Sequence, residues 1–402
     1  MEDWKEYRLG EMIQCNPQVK LEKGKSYNLI DIDSIEIGSR YVKGKELTVY
    51  DGQSGCHFQN GDTVMARITP CLENGKIAQV QCESQKGFGS TELFVFRGTE
   101  NKTDSDYVFN LMSMQFIRNL AANSMTGASG RQRADLGFIK RIKWNFPPLP
   151  TQQKIASILS AYDDLIQNYK KQIQALQTAA SELYKEWFVR FRFPGYQTAE
   201  FENGIPEGWK IERIGNIGEV IGGGTPSTEN EEYWDGDIPW LSPVDLSDNT
   251  NVYVSRGGKN ITKLGLQKSS AKMMPKDTVL LSSRAPVGYV ALAKNPICTN
   301  QGFKSVVCNT SVIQPIYLYF YFRMNKNYLQ SIASGATFPE LSGSMMKKLK
   351  VLLPQMELQK EFSKKANIFI SKAELLSEQI TNLTQQRDLL LPRLMRGALE
   401  VH

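Results

Sequence analysis

The feature that most limits what this chain can fold into is a heptad stripe that occurs twice. Tyr162, Ile166, Tyr169, Ile173, Leu176, Ala180, Leu183 and Trp187 alternate steps of four and three residues, which keeps them on one side of a helix as the seam of a coiled coil. Adding 207 to each position gives Phe369, Ala373, Leu376, Ile380, Leu383, Arg387, Leu390 and Leu394, and seven of those eight are apolar. One stripe alone usually marks a core face; two stripes in register suit mutual pairing. Arg387 interrupts the second stripe, where a cation specifies register or reaches a partner. Asp163 and Asp164 sit together on the first helix and read as solvated helix charge.

The rest of the chain repeats with nearly the same period. Trp4, Lys5, Arg8, Leu9 and Gly10 return as Trp209, Lys210, Arg213, Ile214 and Gly215, an offset of 205. GDTVMARITP at 61–70 resembles KDTVLLSSRAP at 276–286, and PLPTQQK at 148–154 answers PQMELQK at 354–360, sharing a Pro and a Gln-Lys. Each half therefore has an aromatic entry, a strand-rich body, a proline stop and a helix. The expected organisation is a body over 1–150, a helix over 151–190, a second body over 191–354 and a second helix over 355–402. The second body follows the far end of the first helix, so the helices should be antiparallel. At about 1.5 Å per residue each is a rod of roughly 60 Å. The fold class is α+β: two similar mixed α/β domains joined by a long antiparallel two-helix coiled coil with pseudo-twofold symmetry.

Composition sets outer limits. A chain of 402 residues with 41% hydrophobic content is ordinary for a soluble protein of two or three domains. No apolar run approaches membrane length, and the start MEDWKEYRLGEM lacks the apolar stretch of a signal peptide, so a cytoplasmic, non-membrane protein is expected. The six cysteines form no CxxC pair and have only His57 and His402 to complement them, which favours reduced structural thiols over a zinc site. Net charge is +6, yet residues 1–150 carry 19 basic and 18 acidic side chains and 191–354 carry 17 and 14. A nucleic-acid partner would have to be met by cations arranged on one face.

Two related bodies on a fixed rod suit a ligand that offers two sites at fixed separation. Duplex DNA is such a ligand, its major-groove faces recurring every ~34–36 Å. Similar but unequal bodies would read two different half-sites. Phosphate contacts call for Lys, Arg, Ser, Thr or backbone amides, and base edges for Arg, Lys, Asn or Gln. In the first body the candidates are Arg67, Thr69, Asn74 and Lys76, together with Ser129, Arg131, Gln132 and Arg133. In the second they are Arg256, Lys259, Lys268 and Lys272, together with Ser282, Ser283, Arg284 and Tyr289. GRQR at 130–133 is the strongest cluster, because three long polar side chains beside glycine do not suit a core.

IGGGTPSTENEEYWDGDIPWL at 221–241 is not a phosphate loop, since no Lys or hydroxyl pair follows the glycines in the required order. Gly222–Gly224 read as architectural, and Trp234 and Trp240 as core packing. Catalytic motifs are missing as well. Asn145-Phe146-Pro147-Pro148 has the wrong order for an amino-methyltransferase, and Glu357 and Lys360 lack the further ligands of a nuclease.

The order of parts, GGGTPSTENEEYWDGDIPWLSPVDL, the two Pro…Gln-Lys helix starts and ASGATFPELSGSMMKKLKVLLP closely resemble the specificity subunit of type I restriction-modification systems, over essentially the whole chain. The first body departs from the pattern, with SYNLIDIDSIEIGSRY where GGTP is expected. The resemblance implies two target recognition domains, two helical regions and a non-catalytic DNA reader without a cofactor of its own. It implies as partners double-stranded DNA, two methyltransferase subunits that bring S-adenosylmethionine, and motor-nuclease subunits that bring ATP and magnesium. Two other classes stay open on the residues alone: a two-headed adaptor that binds proteins, and a self-sufficient DNA-modifying enzyme.

Overall fold

The computed structural model describes residues 3–127, 132–247, 251–335 and 339–401. The chain forms two compact units, one from Met1–Tyr169 with Gln379–His402 and one from Lys170–Glu378. Two helices of 40 residues each, Leu149–Phe188 and Met356–Met395, are each divided between the two units. Pro150 is tolerated because the first turn of a helix needs no N–H donor.

Within the first unit, Ile155, Ala156 and Leu159 of the first long helix share a core with Leu394 and Met395 of the second, and Asp163 lies opposite Arg387. Within the second, Ala180, Tyr184, Trp187 and Phe188 pack with Phe362, Ala366 and Ile370. Positions rise along one helix as they fall along the other, so the helices are antiparallel in both units. Ile166, Ile173, Trp187, Leu376 and Leu394 of the expected seam are buried; Tyr162, Tyr169, Leu176, Leu183, Phe369, Ile380, Leu383 and Leu390 are half-buried. The buried surface extends beyond the seam, to Ile155, Leu159, Tyr184 and Phe188, because each helix also lies against the body of its unit. Each such apolar side chain stabilises the unit by about 1.5–3 kcal/mol.

Asp163 corrects the sequence reading. It is 4% exposed and ion-paired on two sides, not a solvated helix charge. Asp164 beside it is exposed and accepts from the Tyr41 hydroxyl at 2.9 Å.

The bodies repeat one strand order. The first unit has a five-stranded sheet in the order Ile13–Cys15, Leu93–Gly98, Thr63–Ala66, Ile77–Val80, Tyr41–Val42. The second has Gly218–Gly222, Lys304–Cys308, Val279–Leu281, Val290–Ala293, Tyr253–Val254. In both, only the last pair is parallel. The central strand Thr63–Ala66 is wholly buried, as a strand covered on both faces should be. The entry strand pairs with the strand before the long helix in each unit, Lys5–Arg8 with Lys143–Phe146 and Lys210–Arg213 with Lys350–Leu353. A second sheet has four strands in the first unit and three in the second, where a single bridge, Met274 to Ile297, stands in for the fourth.

The helix starts are built alike around one buried glutamine. Gln152 donates to the Pro147 carbonyl at 2.9 Å and accepts from the Asp104 amide at 3.1 Å; Gln359 donates to the Pro354 carbonyl at 2.8 Å and accepts from the Gln314 amide at 3.0 Å. The sequence comparison set Gln153 against Gln359. The structure pairs Gln152 with Gln359, which restores the offset of 207 found along the helices. Asp104 and Gln314 cap the following helices, Ser105–Ser113 and Pro315–Met324, so these too are counterparts.

Candidate nucleic-acid interface

In the first unit, two stretches far apart in sequence converge. The turn after strand Thr63–Ala66 carries Arg67, Thr69, Asn74 and Lys76. Its Thr69 amide donates to the Gln132 carbonyl at 3.0 Å, the Gln132 amide donates to Thr69 Oγ1 at 3.2 Å, and the Ala134 amide donates to the Arg67 carbonyl at 2.8 Å. Residues 132–134 are thereby zipped to the 67–76 turn. Ser129 and Arg131 lie outside the described residues. Arg133 is exposed and forks onto Glu92, with Nη2 2.6 Å from Oε1. Hydrogen bonding to Glu92 raises the Arg133 pKa, and the same contact lowers that of Glu92. Asn74 is exposed. Lys76 is drawn back onto the turn at 32–34, its Nζ donating to the Ile32 carbonyl at 2.9 Å and lying 3.7 Å from Asp33. Arg67 lies with Cζ 4.8 Å from the Phe94 ring centroid, its Nε buried without a hydrogen-bond partner.

The second unit repeats this junction with other residues. The Leu341 amide donates to the Ser283 carbonyl at 2.9 Å, and the Ser283 amide to the Gly302 carbonyl at 2.7 Å, where the first unit uses Arg67 with Ala134 and Glu92. Ser283 is thus the counterpart of Arg67. Ser282 and Ser283 are both 0% exposed, and this corrects their reading as contact residues. Ser282 Oγ donates to the Pro286 carbonyl at 2.7 Å and accepts from the Tyr289 amide at 2.8 Å, so it pins the turn from inside. What that turn presents is Arg284, 3.8 Å from Glu340, and a half-buried Tyr289 with Lys326 Nζ 5.0 Å from its ring centroid.

Arg256, Lys268 and Lys272 are exposed and make no ion pair among the described residues. Lys259 lies over the Trp234 ring at 5.3 Å. Around them, the 221–241 stretch performs a packing task. A side chain on Gly223 would meet the Asn300 carbonyl at 2.0 Å, and one on Gly224 the Ser270 hydroxyl at 2.3 Å. Trp240 donates to the Gly224 carbonyl at 2.9 Å and meets Trp234 edge-on at 5.2 Å. The glycine strip thus wedges the Lys268–Lys272 segment against residues 299–301, next to Gly302 of the junction. It holds the basic segment in place.

Sequence reasoning missed Glu92 and Glu340, the carboxylates that orient Arg133 and Arg284, and also Lys304, which lies 3.3 Å from Glu340. Positional correspondence between the halves is the signal that could have found Glu340, since it sits where Arg133 sits in the first unit. Burial pushes the Cys56 and Cys308 thiols up to about 12, and the described residues hold no cluster suited to a metal ion. Among them, no helix is long and apolar enough to cross a membrane.

Two repeated α/β bodies, each presenting a junction of arginines, amides and lysines, define a two-site recognition protein. The family model described as "Type I restriction modification DNA specificity domain" matches residues 1–178 and again 206–385, and the chain belongs to this family. The specificity subunit of the type I restriction enzyme MjaIX from Methanocaldococcus jannaschii is 47% identical over 161 residues, 40% of this chain and 37% of that relative. The HindI specificity subunit from Haemophilus influenzae is 25% identical over 99% of this chain and 100% of its own length. A crystal structure of the S subunit of a type I system from M. genitalium shares the fold, with a TM-score of 0.58 at 15% identity over 97% of this chain and 96% of that one. The chain is thus a DNA-specificity protein of the type I restriction-modification class.

Proposed function

We propose that residues 1–150 and 191–354 each read one half of an asymmetric bipartite DNA target, while the helical regions 151–190 and 355–402 dock two methyltransferase subunits. The observation that carries this reading is the repeated junction with unequal residues: Arg67, Thr69, Gln132 and Arg133 in one unit, Ser283, Arg284 and Glu340 in the other. A shared frame with different side chains suits two different short sequences. In this reading Arg256, Lys268, Lys272 and Asn74 make phosphate contacts, and Gln132, Arg133 and Arg284 hydrogen-bond base edges. S-adenosylmethionine belongs to the methyltransferase partner, and ATP and magnesium to the motor-nuclease partner. The assembly acts in the cytoplasm.

The test replaces residues 1–150 by the corresponding segment of a relative, coexpresses the hybrid with the methyltransferase and maps methylated sites. One half of the recognised sequence should change and the other stay. If both halves changed together, the units would not read independently, and methyl transfer by the purified chain alone would refute a purely recognising role.

A further inference from the structure

We infer that a cleft in the first unit is a binding site for a planar heteroaromatic anion of mononucleotide size, a function separate from reading duplex DNA. The cleft has a volume of about 530 Å³ and lies between the helix Ser105–Ser113, the turn at 74–75 and the two long helices. Sites for small ligands typically range over ~300–1,000 Å³.

The second unit shows what this space is for in a closed form. Its counterpart cavity measures only about 10 Å³. There Phe320 and Tyr184 fill the seat with rings 20° from parallel and centroids 5.9 Å apart. The counterpart of Phe320, counted from the helix caps Asp104 and Gln314, is Asn110. The counterpart of Tyr184, by the helix offset of 207, is Leu391. Both residues line the open cleft. The first unit therefore lacks two stacked rings that the same frame holds elsewhere, and a planar ring fits the gap.

Polar chemistry in the cleft narrows the ring further. Asn110 is 3% exposed, and its Nδ2 is buried with no hydrogen-bond partner. Leaving such a donor unpaired is costly, so the matching ligand carries a ring acceptor, as a purine does. The charge balance asks for an anion. Arg40 and Arg387 share Asp163, and Arg387 also holds Asp388. Arg118 bonds only carbonyl oxygens and Gln115, and Arg396 lies over the Phe116 ring at 5.5 Å; neither has a carboxylate partner among the described residues. Asp106 pairs with Arg40 at 2.9 Å from outside the lining, so the four arginines meet three aspartates and one positive charge is left over, on the side of Arg118 and Arg396. The base would stack in the ring slot with an acceptor toward Asn110, and the phosphate would lie toward Arg118 and Arg396. Arg118 also donates to the Glu73 carbonyl at 3.4 Å, so occupancy bears on the turn that carries Asn74.

The test is titration calorimetry of the full-length chain with AMP, adenosine and inorganic phosphate. AMP should bind at least about tenfold more tightly than either fragment. Asn110→Phe, which copies the second unit and so preserves packing, should abolish AMP binding, as should Leu391→Tyr. Arg118→Gln with Arg396→Gln should weaken AMP about tenfold and leave adenosine unchanged. The inference fails if AMP binds no better than phosphate, or if it binds the folded Asn110→Phe chain as well as the parent. It also fails if AMP does not bind while Asn110→Phe disrupts association with the methyltransferase, since the cleft would then receive a partner's side chain.

Discussion

At the place where the body meets the long helices, the two units use opposite chemistry on the same backbone. In the first, the Gln79 amide donates to the Arg40 carbonyl at 2.7 Å; in the second, the Leu292 amide donates to the Val252 carbonyl at 2.7 Å. Arg40 therefore corresponds to Val252 and Gln79 to Leu292, while the offset of 207 pairs Asp163 with Ile370 and Ala180 with Arg387. The first seat is an ion network: Arg40 reaches Gln79 at 3.1 Å, Asp106 at 2.9 Å and Asp163 at 3.4 Å, and Arg387 reaches Asp163 at 2.7 Å. In the second seat the residues at the positions of Arg40, Asp106, Asp163 and Arg387 are Val252, Ile316, Ile370 and Ala180, all apolar and buried. Burial works against the charge of Arg387, but hydrogen bonds to Asp163 and Asp388 hold its pKa above the ordinary arginine value. The frame does not require charge at these four positions, because its twin closes with apolar residues there. Desolvating such groups commonly cancels their attraction, so the ionic seat contributes specificity of packing, and an open cleft beside it, more than net stability.

The largest effect should come from breaking the network on one side. Asp163→Ala removes the carboxylate that Arg40 and Arg387 share, leaving them only the more exposed Asp106 and Asp388, and with Arg40 1% exposed should cost up to about 3–5 kcal/mol in urea unfolding. Replacing the set by its twin, Arg40→Val with Asp163→Ile and Arg387→Ala, should be neutral or stabilising by up to ~4 kcal/mol. A cost of several kcal/mol for the triple variant would show that the seats are not equivalent.

Next in size is the reverse graft. Phe320 is 1% exposed, and Phe320→Asn removes its ring from between Tyr184 and Phe362 while burying an amide. A loss of about 2–4 kcal/mol is expected from the cavity. Asn110→Phe should cost little, and a symmetrical loss from both changes would contradict the reading of one seat as filled and the other as open.

The shared feature gives an intermediate effect. Gln152→Ala and Gln359→Ala each free a buried amide and a buried carbonyl, so both should cost about 1–3 kcal/mol and agree within ~0.5 kcal/mol. Gln153→Ala, at an exposed position, should stay within ±0.5 kcal/mol, roughly the level of an ordinary surface change. If Gln153 proved the costly one, the correspondence at offset 207 would be wrong.

On the DNA side the single changes are smaller. Arg256→Ala, Lys268→Ala or Lys272→Ala should weaken binding uniformly across sequences and each lower the salt slope by about 1. Arg284→Ala should instead relax preference at one base pair by about 1–3 kcal/mol, which selection from a randomised duplex library would detect.

How much of this was legible in the sequence depended on whether a position answers to period or to proximity. The heptads of 162–187 and 369–394 repeat through every turn of a helix, so spacing alone gave the helices and their offset. The duplication gave the body order for the same reason. Asp163 misled because a carboxylate on a helix ordinarily faces water, and its partners lie 123 and 224 residues away. Ser282 and Ser283 misled because hydroxyl residues in a turn ordinarily face outward, whereas here they satisfy or pack the turn's interior. Glu92 and Glu340 were invisible because only the fold sets them against arginines. The empty seat beside Asn110 was unreadable for the same reason, since it is defined by what fills its twin.

The smallest effect concerns the pair Glu92 and Arg133. Its counterpart, Arg284 with Glu340, is longer at 3.8 Å and lacks the forked hydrogen bonds. Hydrogen bonding to Arg133 holds the Glu92 pKa below that of a free glutamate. A carboxylate whose folded pKa is depressed stabilises the fold at pH above its unfolded pKa, and that contribution disappears as pH falls through the folded value. Glu92→Gln should therefore lose a little stability near neutral pH, and the gap to the parent should close as pH drops below the usual glutamate range, about 4.3. Arg133 is exposed and the pair is salt-screened, so the gap should also shrink at high ionic strength. Urea unfolding of the parent and Glu92→Gln across that pH range, in low and high salt, measures both. A gap that stayed constant with pH would mean that Glu92 acts by packing alone, and that the pair in the first unit is no more electrostatic than its longer counterpart in the second.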